Sequence, residues 1–101
     1  MGIERVAVIG SGTMGSGIAQ VAAMSGLDVV MRDIDQQSID RGLALIDRSF
    51  GSLLRAGKLT QERVTETRAR LRTTTDLADA IRDADYVFEA IPEFLEKKKA
   101  L

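Results

Sequence analysis

Val6-Ala7-Val8-Ile9-Gly10-Ser11-Gly12-Thr13-Met14-Gly15-Ser16-Gly17-Ile18-Ala19-Gln20 is the stretch on which the fold turns. After Arg5 its first four residues are all apolar, the pattern of a strand covered on both faces. Gly10-Ser11-Gly12 interrupts the run. From Met14 the spacing becomes helical, with Met14, Ile18, Val21, Ala22 and Ser25 on one face, until Gly26 supplies a C-terminal stop. Gly10, Gly12 and Gly15 stand in the pattern G-x-G-x-x-G. The pattern alone is weak, because glycine-rich hexapeptides also occur in ordinary turns. Leaving a buried strand and opening a helix, it has the context of a phosphate-binding turn.

Each glycine has a physical task in that context. Gly10 permits the tight turn, Gly12 has no Cβ to block a pyrophosphate approaching the backbone, and Gly15 lets the helix pack closely on the strand. The free N–H groups of the first helical turn then face the phosphates, together with the positive end of the helix dipole. Gly17, Ala19, Ala22 and Ala23 keep the helix slim for close packing on the sheet. Val29-Val30-Met31 forms a second apolar run ending in Arg32-Asp33, and Asp33 lies 18 residues beyond Gly15. A carboxylate there accepts hydrogen bonds from the adenosine ribose and repels a 2′-phosphate, which favours NAD over NADP. Arg32 is the counter-indication, since a guanidinium receives such a phosphate. The plainer alternative is a glycine turn beside an unrelated surface aspartate.

Further along, Ile39, Leu43, Ile46, Phe50 and Leu53 recur at steps of four and three, a continuous helical stripe closed by Gly57. Thr60 is placed to cap another helix carrying Val64, Arg68 and Leu71. Leu71–Thr74 reads as a short third strand, and Asp76–Ile81 as a brief helix capped by Thr75 or Asp76. Tyr86–Ile91 is a fourth strand, followed by Pro92 and a helical segment from Glu93. Strands alternating with helices predict an α/β fold: a partial Rossmann-like parallel sheet of order 3-2-1-4, with a helical hairpin after strand 2. Residues 1–101 are read as one N-terminal dinucleotide-binding domain, truncated before its catalytic end and before a helical C-terminal domain.

Composition excludes several chemistries. The net charge of −1 gives no electrostatic case for nucleic acid, and Lys97–Lys99 reads as a solvated helix face. There is no Cys, hence no disulfide, thiolate metal site or cysteine nucleophile, and no His, the commonest general base near neutral pH. No apolar run approaches the ~20 residues that span a bilayer, and no signal-peptide pattern precedes the first strand. A cytoplasmic location without membrane contact is expected. An organelle is the alternative if a targeting segment precedes this stretch.

Val8-Ile9-Gly10-Ser11-Gly12-Thr13-Met14-Gly15-Ser16-Gly17-Ile18-Ala19-Gln20, the long hairpin, and Glu89-Ala90-Ile91-Pro92-Glu93 together resemble the NAD-binding domain of 3-hydroxyacyl-CoA dehydrogenases, including the 3-hydroxybutyryl-CoA type. The resemblance covers essentially the whole chain. It implies oxidation of 3-hydroxyacyl-CoA to 3-oxoacyl-CoA by hydride transfer to NAD, in fatty-acid or butanoate metabolism, by a homo-oligomer. It implies that Gly10, Ser11, Gly12, Thr13, Met14 and Gly15 bind the pyrophosphate and Asp33 the ribose. Ala90, Glu93 and Lys98 would line the cofactor beyond the fourth strand. Ser49 would contact CoA from the hairpin.

Ser49 also reads as an exposed helix serine, Glu93 as a helix-start carboxylate without a ligand, and Lys98 as a solvated lysine. The hairpin lysine of the family is not matched, because Ala56 stands in its place between Arg55 and Lys58. The family's catalytic His–Glu pair, with its Ser and Asn, falls beyond the fourth strand, so no catalytic residue is assigned. Tyr86, the only tyrosine, is expected in the core. Two other readings stay open: a non-catalytic NAD-binding module, and a dehydrogenase of the hydroxyisobutyrate or phosphogluconate type.

Overall fold

The computed structural model describes residues 2–90. The chain runs β1 (Arg5–Ile9), α1 (Thr13–Met24), β2 (Asp28–Arg32), α2 (Gln36–Arg55), α3 (Gln61–Ala69), β3 (Leu71–Thr74), α4 (Leu77–Ile81) and β4 (Tyr86–Glu89). The four strands form one sheet in the order β3-β2-β1-β4, parallel at every pairing. This is the predicted order, and the predicted hairpin is α2 and α3.

Central β1 buries Val6, Ala7 and Val8, and β2 beside it buries Val29, Val30 and Met31. A parallel strand pair covered on both faces reads as a continuous apolar run for this reason. One face carries α1 and α2 over Val6, Val8, Val29, Met31 and Leu71. On the other, α4 seats Ala80 against Ala7 and Val30. Ile39, Ile46 and Phe50 of α2 are buried as the stripe predicted, with Leu43 packed alongside.

Local signals set the helix ends. Asp35 and Thr60 cap α2 and α3 by accepting from the N–H groups of Ser38 and Arg63, and Asp76 caps α4 by accepting from Asp79. At the end of α2, Gly57 donates to the Leu54 carbonyl and Lys58 to that of Leu53, the paired bonds of a Schellman stop. Gly26 and Leu27 repeat the arrangement after α1, on Ala23 and Ala22.

Four expectations need correction. The face read for α1 is buried only in part: Ala22 is buried and Ile18 packs against the core, but Met14 is 69% and Val21 65% exposed. The inner face of the helix is Gly15, Ser16, Ala19, Gln20, Ala22 and Ala23, because small side chains let the helix axis approach the sheet. Gly17 is exposed and takes no part in that approach. Helix α3 buries Thr67 rather than Arg68, while Leu71, read both on this helix and at the start of the third strand, belongs to the strand. Tyr86 is 48% exposed on β4, its ring 4.7 Å from that of Phe88, and is not core. Ile91, expected at the end of β4, lies outside the described residues, as do Glu93 and Lys98.

Candidate functional site

Parallel pairing brings the ends of β1 and β2 together, Ile9 opposite Arg32, and the Gly10 N–H closes the pair by donating to the Arg32 carbonyl at 2.7 Å. The next residues out, Ser11 and Asp33, are therefore neighbours. The chain turns at Gly10, with φ of +112°, a conformation that side-chain-bearing residues rarely adopt. It then enters α1 through Gly12, the N-cap. Gly12 offers no side chain to the first-turn N–H groups, and no acidic residue stands in that turn. This helix end is free to receive an anion.

The glycines divide as anticipated. A Cβ on Gly12 would meet nothing within 4 Å, so the approach to the backbone is open on the side where a ligand would come. A Cβ on Gly15 would collide with the Gly10 carbonyl, so the helix packs on the loop itself as well as on the sheet. Ala90 is buried against this turn. It donates from its N–H to the Ile9 carbonyl at 2.8 Å, and its own carbonyl lies where a Gly10 Cβ would fall.

The Asp33 carboxylate is tied into the loop. Its Oδ2 accepts from the Ser11 N–H at 2.8 Å and the Ser11 hydroxyl at 2.7 Å, and its Oδ1 accepts from the Ile34 N–H at 2.6 Å. Burial opposes ionisation. The Ser11 hydroxyl, the two N–H groups and the Arg32 guanidinium outweigh it and hold Asp33 below the usual carboxylate value. A carboxylate offers about four acceptor positions, so three bonds leave about one, on Oδ1, for a further donor.

Outside the loop lies a groove of about 760 Å³, within the usual range for ligand sites. The glycine loop and Asp33 form one wall, and the outward residues Arg41, Leu45 and Arg48 of α2 the other. Among the described residues Arg32, Arg41 and Arg48 make three cations around a single carboxylate. Arg32 is held across the sheet end by its Nε, which donates to the Thr75 carbonyl at 3.0 Å. Sequence inspection did not single out Ser38, Arg41 or Arg48. Their signal is the heptad spacing of Arg41 and Arg48, which puts both on one side of α2.

The other candidates sit apart. Met14 is exposed at the start of α1 and does not line the groove, whereas Thr13 does. Ser49 is half-buried between α1 and α2, where its hydroxyl accepts from the Gln20 side chain at 2.9 Å. It does not line the groove either. Arg55 reaches Ser52, while Ala56 and Lys58 are exposed. Among the described residues no group of His, Cys, Asp or Glu is placed to hold a metal ion, and no helix is long and apolar enough to cross a membrane.

The sequence profile of the family described as "3-hydroxyacyl-CoA dehydrogenase, NAD binding domain" matches residues 5–101. The chain belongs to the 3-hydroxyacyl-CoA dehydrogenase family. It is 48% identical over 97 residues to a probable 3-hydroxybutyryl-CoA dehydrogenase of Deinococcus radiodurans, covering 96% of this chain and 34% of that protein. It is 46% identical over 99 residues to the 3-hydroxyadipyl-CoA dehydrogenase of Escherichia coli, covering 98% of this chain and 21% of that one. The crystal structure of (S)-3-hydroxybutyryl-CoA dehydrogenase from Ralstonia eutropha superposes with a TM-score of 0.88 at 37% identity, over 98% of this chain and 35% of that chain. The chain thus spans about a third of the length of the first of these relatives. The family's domain takes NAD as cofactor. An uncapped helix end, open space before Gly12 and a carboxylate at the end of β2 are the features such a dinucleotide needs, so the residues present fit the group.

Proposed function

We propose that this chain is the N-terminal NAD-binding part of a dehydrogenase that oxidises 3-hydroxyacyl-CoA to 3-oxoacyl-CoA. The observation that carries the proposal is the ionised Asp33 fixed beside an uncapped, glycine-lined helix end. Gly10, Ser11, Gly12, Thr13, Met14 and Gly15 form the turn that receives the pyrophosphate of NAD: the Gly10 and Ser11 N–H groups are taken by the Arg32 carbonyl and Asp33, so the free N–H groups at the start of α1 contact it. Asp33 accepts from the adenosine ribose through its remaining Oδ1 position, and Ala90 closes the floor beneath the turn. Glu93 and Lys98 line the cofactor beyond β4, and Ser49 contacts CoA from the hairpin side, where the Gln20 amide orients its hydroxyl.

Bound NAD supplies the hydride acceptor. The residues of this chain hold and orient it and keep a negative charge at the ribose. The alcohol proton must leave to a base, and with no His among the 101 residues no catalytic group is assigned to this chain. The whole protein is read as a cytoplasmic homo-oligomer acting in fatty-acid or butanoate metabolism, without nucleic-acid or membrane partners.

The test is NADH formation by the protein that carries this chain, followed by absorbance. Saturation by 3-hydroxybutyryl-CoA, with none by free 3-hydroxyisobutyrate, is the expected result. Saturation by the free hydroxy acid alone overturns the substrate class and favours the hydroxyisobutyrate type.

A further inference from the structure

Ser11 occupies a variable position of G-x-G-x-x-G, where the pattern asks nothing of the side chain. Yet its side chain is 2% exposed and fully engaged. Its Oγ lies 2.7 Å from Asp33 Oδ2 and 2.8 Å from the Ser38 carbonyl in the first turn of α2. A hydroxyl has one proton, so only one of the two acceptors can take it fully. The Ser38 carbonyl sits inside a helix with an intrahelical donor available, whereas the ionised carboxylate is the stronger acceptor. The proton therefore goes mainly to Asp33, with the Ser38 carbonyl as its weaker, competing acceptor.

Helix α2 is pressed onto this spot. A Cβ on Gly42 would come within 2.5 Å of the Ser11 carbonyl oxygen and 2.9 Å of the Ser11 Cβ, so only glycine permits the approach. Ser11 thus joins the β1 turn, the end of β2 and the start of α2. Around the carboxylate that it holds, the groove presents Arg32, Arg41 and Arg48 and, among the described residues, no other acid. Arg32 is anchored by Nε, and Arg41 leans on the Ser38 hydroxyl at 3.3 Å. Without a fixed anion at Asp33 these walls would attract a phosphate.

We propose that Ser11 is the positioning residue for Asp33: by fixing the carboxylate among three arginines it sets the selectivity of the groove for NAD over NADP. This rests on the reading of the loop and Asp33 as the dinucleotide site. Ser11 acts through Asp33, so its contribution vanishes when the carboxylate is absent.

The experiment is a double-mutant cycle read by calorimetric titration with NAD and with NADP, on the protein carrying this chain. The four species are the unsubstituted protein, Ser11→Ala, Asp33→Ala and the double variant. Ser11→Ala is expected to weaken NAD roughly tenfold, the loss of one hydrogen bond to a charged group, and to leave NADP unchanged or tighter. In the Asp33→Ala background the same substitution is expected to change NAD affinity less than twofold. If Ser11→Ala does not fold, Ser11→Gly replaces it, removing the hydroxyl without adding volume. Equal losses in both backgrounds, or an unchanged ratio of NAD to NADP affinity, overturn the proposal and leave the dinucleotide site standing. No NAD binding by the unsubstituted protein removes the site and the proposal together.

Discussion

Gly15 packs so closely on Gly10 that a Cβ at position 15 would run into the Gly10 carbonyl. The contact sets the height of α1 above the turn, and with it the direction of the free N–H groups at its start. Gly15→Ala is therefore expected to destabilise the fold by about 1–3 kcal/mol, the cost of overpacking a close-packed contact. It should also weaken NAD binding more than that loss of folded protein explains. Denaturant unfolding beside a titration of folded sample checks both. An unchanged midpoint would mean the helix can rise without cost.

The inner face of α1 gives a paired prediction. Ala22 is buried against the sheet core and Val21 beside it is 65% exposed. Ala22→Val is expected to cost about 1–3 kcal/mol by overpacking, while Val21→Ala should stay within about 0.5 kcal/mol as a surface change. The opposite order would put Val21 rather than Ala22 against the sheet.

Helix α1 marks how far the sequence could be read. The strand–turn–helix, the order of the sheet, the α2 stripe and the stops at Gly26 and Gly57 all follow from local rules and were legible. The buried side of α1 was legible in Gly15, Ala19, Ala22 and Ala23 but not in what it leaves out, because closeness of approach selected glycine and alanine over the more apolar Met14 and Val21. Tyr86 shows a second limit: the apolar character of β4 was plain, but which neighbours cover it is not written in the strand. Within the site, the glycines and Asp33 were legible from spacing. The side-chain bond from Ser11 to Asp33 and the arginine wall of α2 depend on which surfaces meet, information that no single segment carries.

Helix α2 docks through Ile46 and Phe50, both in the main core. Ile46→Ala is expected to cost about 2–5 kcal/mol, lost transfer energy plus the cavity left behind. Measured by urea unfolding, a cost below about 1 kcal/mol would mean the helix is not seated as described.

Acid should destabilise the fold through its carboxylates. Asp85 Oδ2 accepts from the N–H groups of Glu4 and Arg5 at 2.8 and 2.9 Å, and these bonds lower its pKa. Asp33, Asp35 and Asp79 are lowered as well, Asp33 against burial, its largest single effect, and all three by hydrogen bonds and nearby arginines. A carboxylate with a depressed folded pKa contributes stability above its ordinary value of about 3.9, and loses it as the pH falls through the folded pKa. The melting temperature is thus expected to be flat from pH 7 to about pH 5 and to fall below about pH 4. Asp85→Asn should flatten that acid limb. A melting temperature that rises on acidification contradicts the assignment.

The central claim is that the Gly10–Gly15 loop and Asp33 form an NAD site, and calorimetric titration with NAD of the unsubstituted protein and of Asp33→Ala tests it most directly. Saturable binding that the substitution weakens tenfold or more, as loss of a charged hydrogen-bond acceptor requires, is the predicted result. Equal affinity in the two proteins, or no binding by a folded unsubstituted sample, would contradict it.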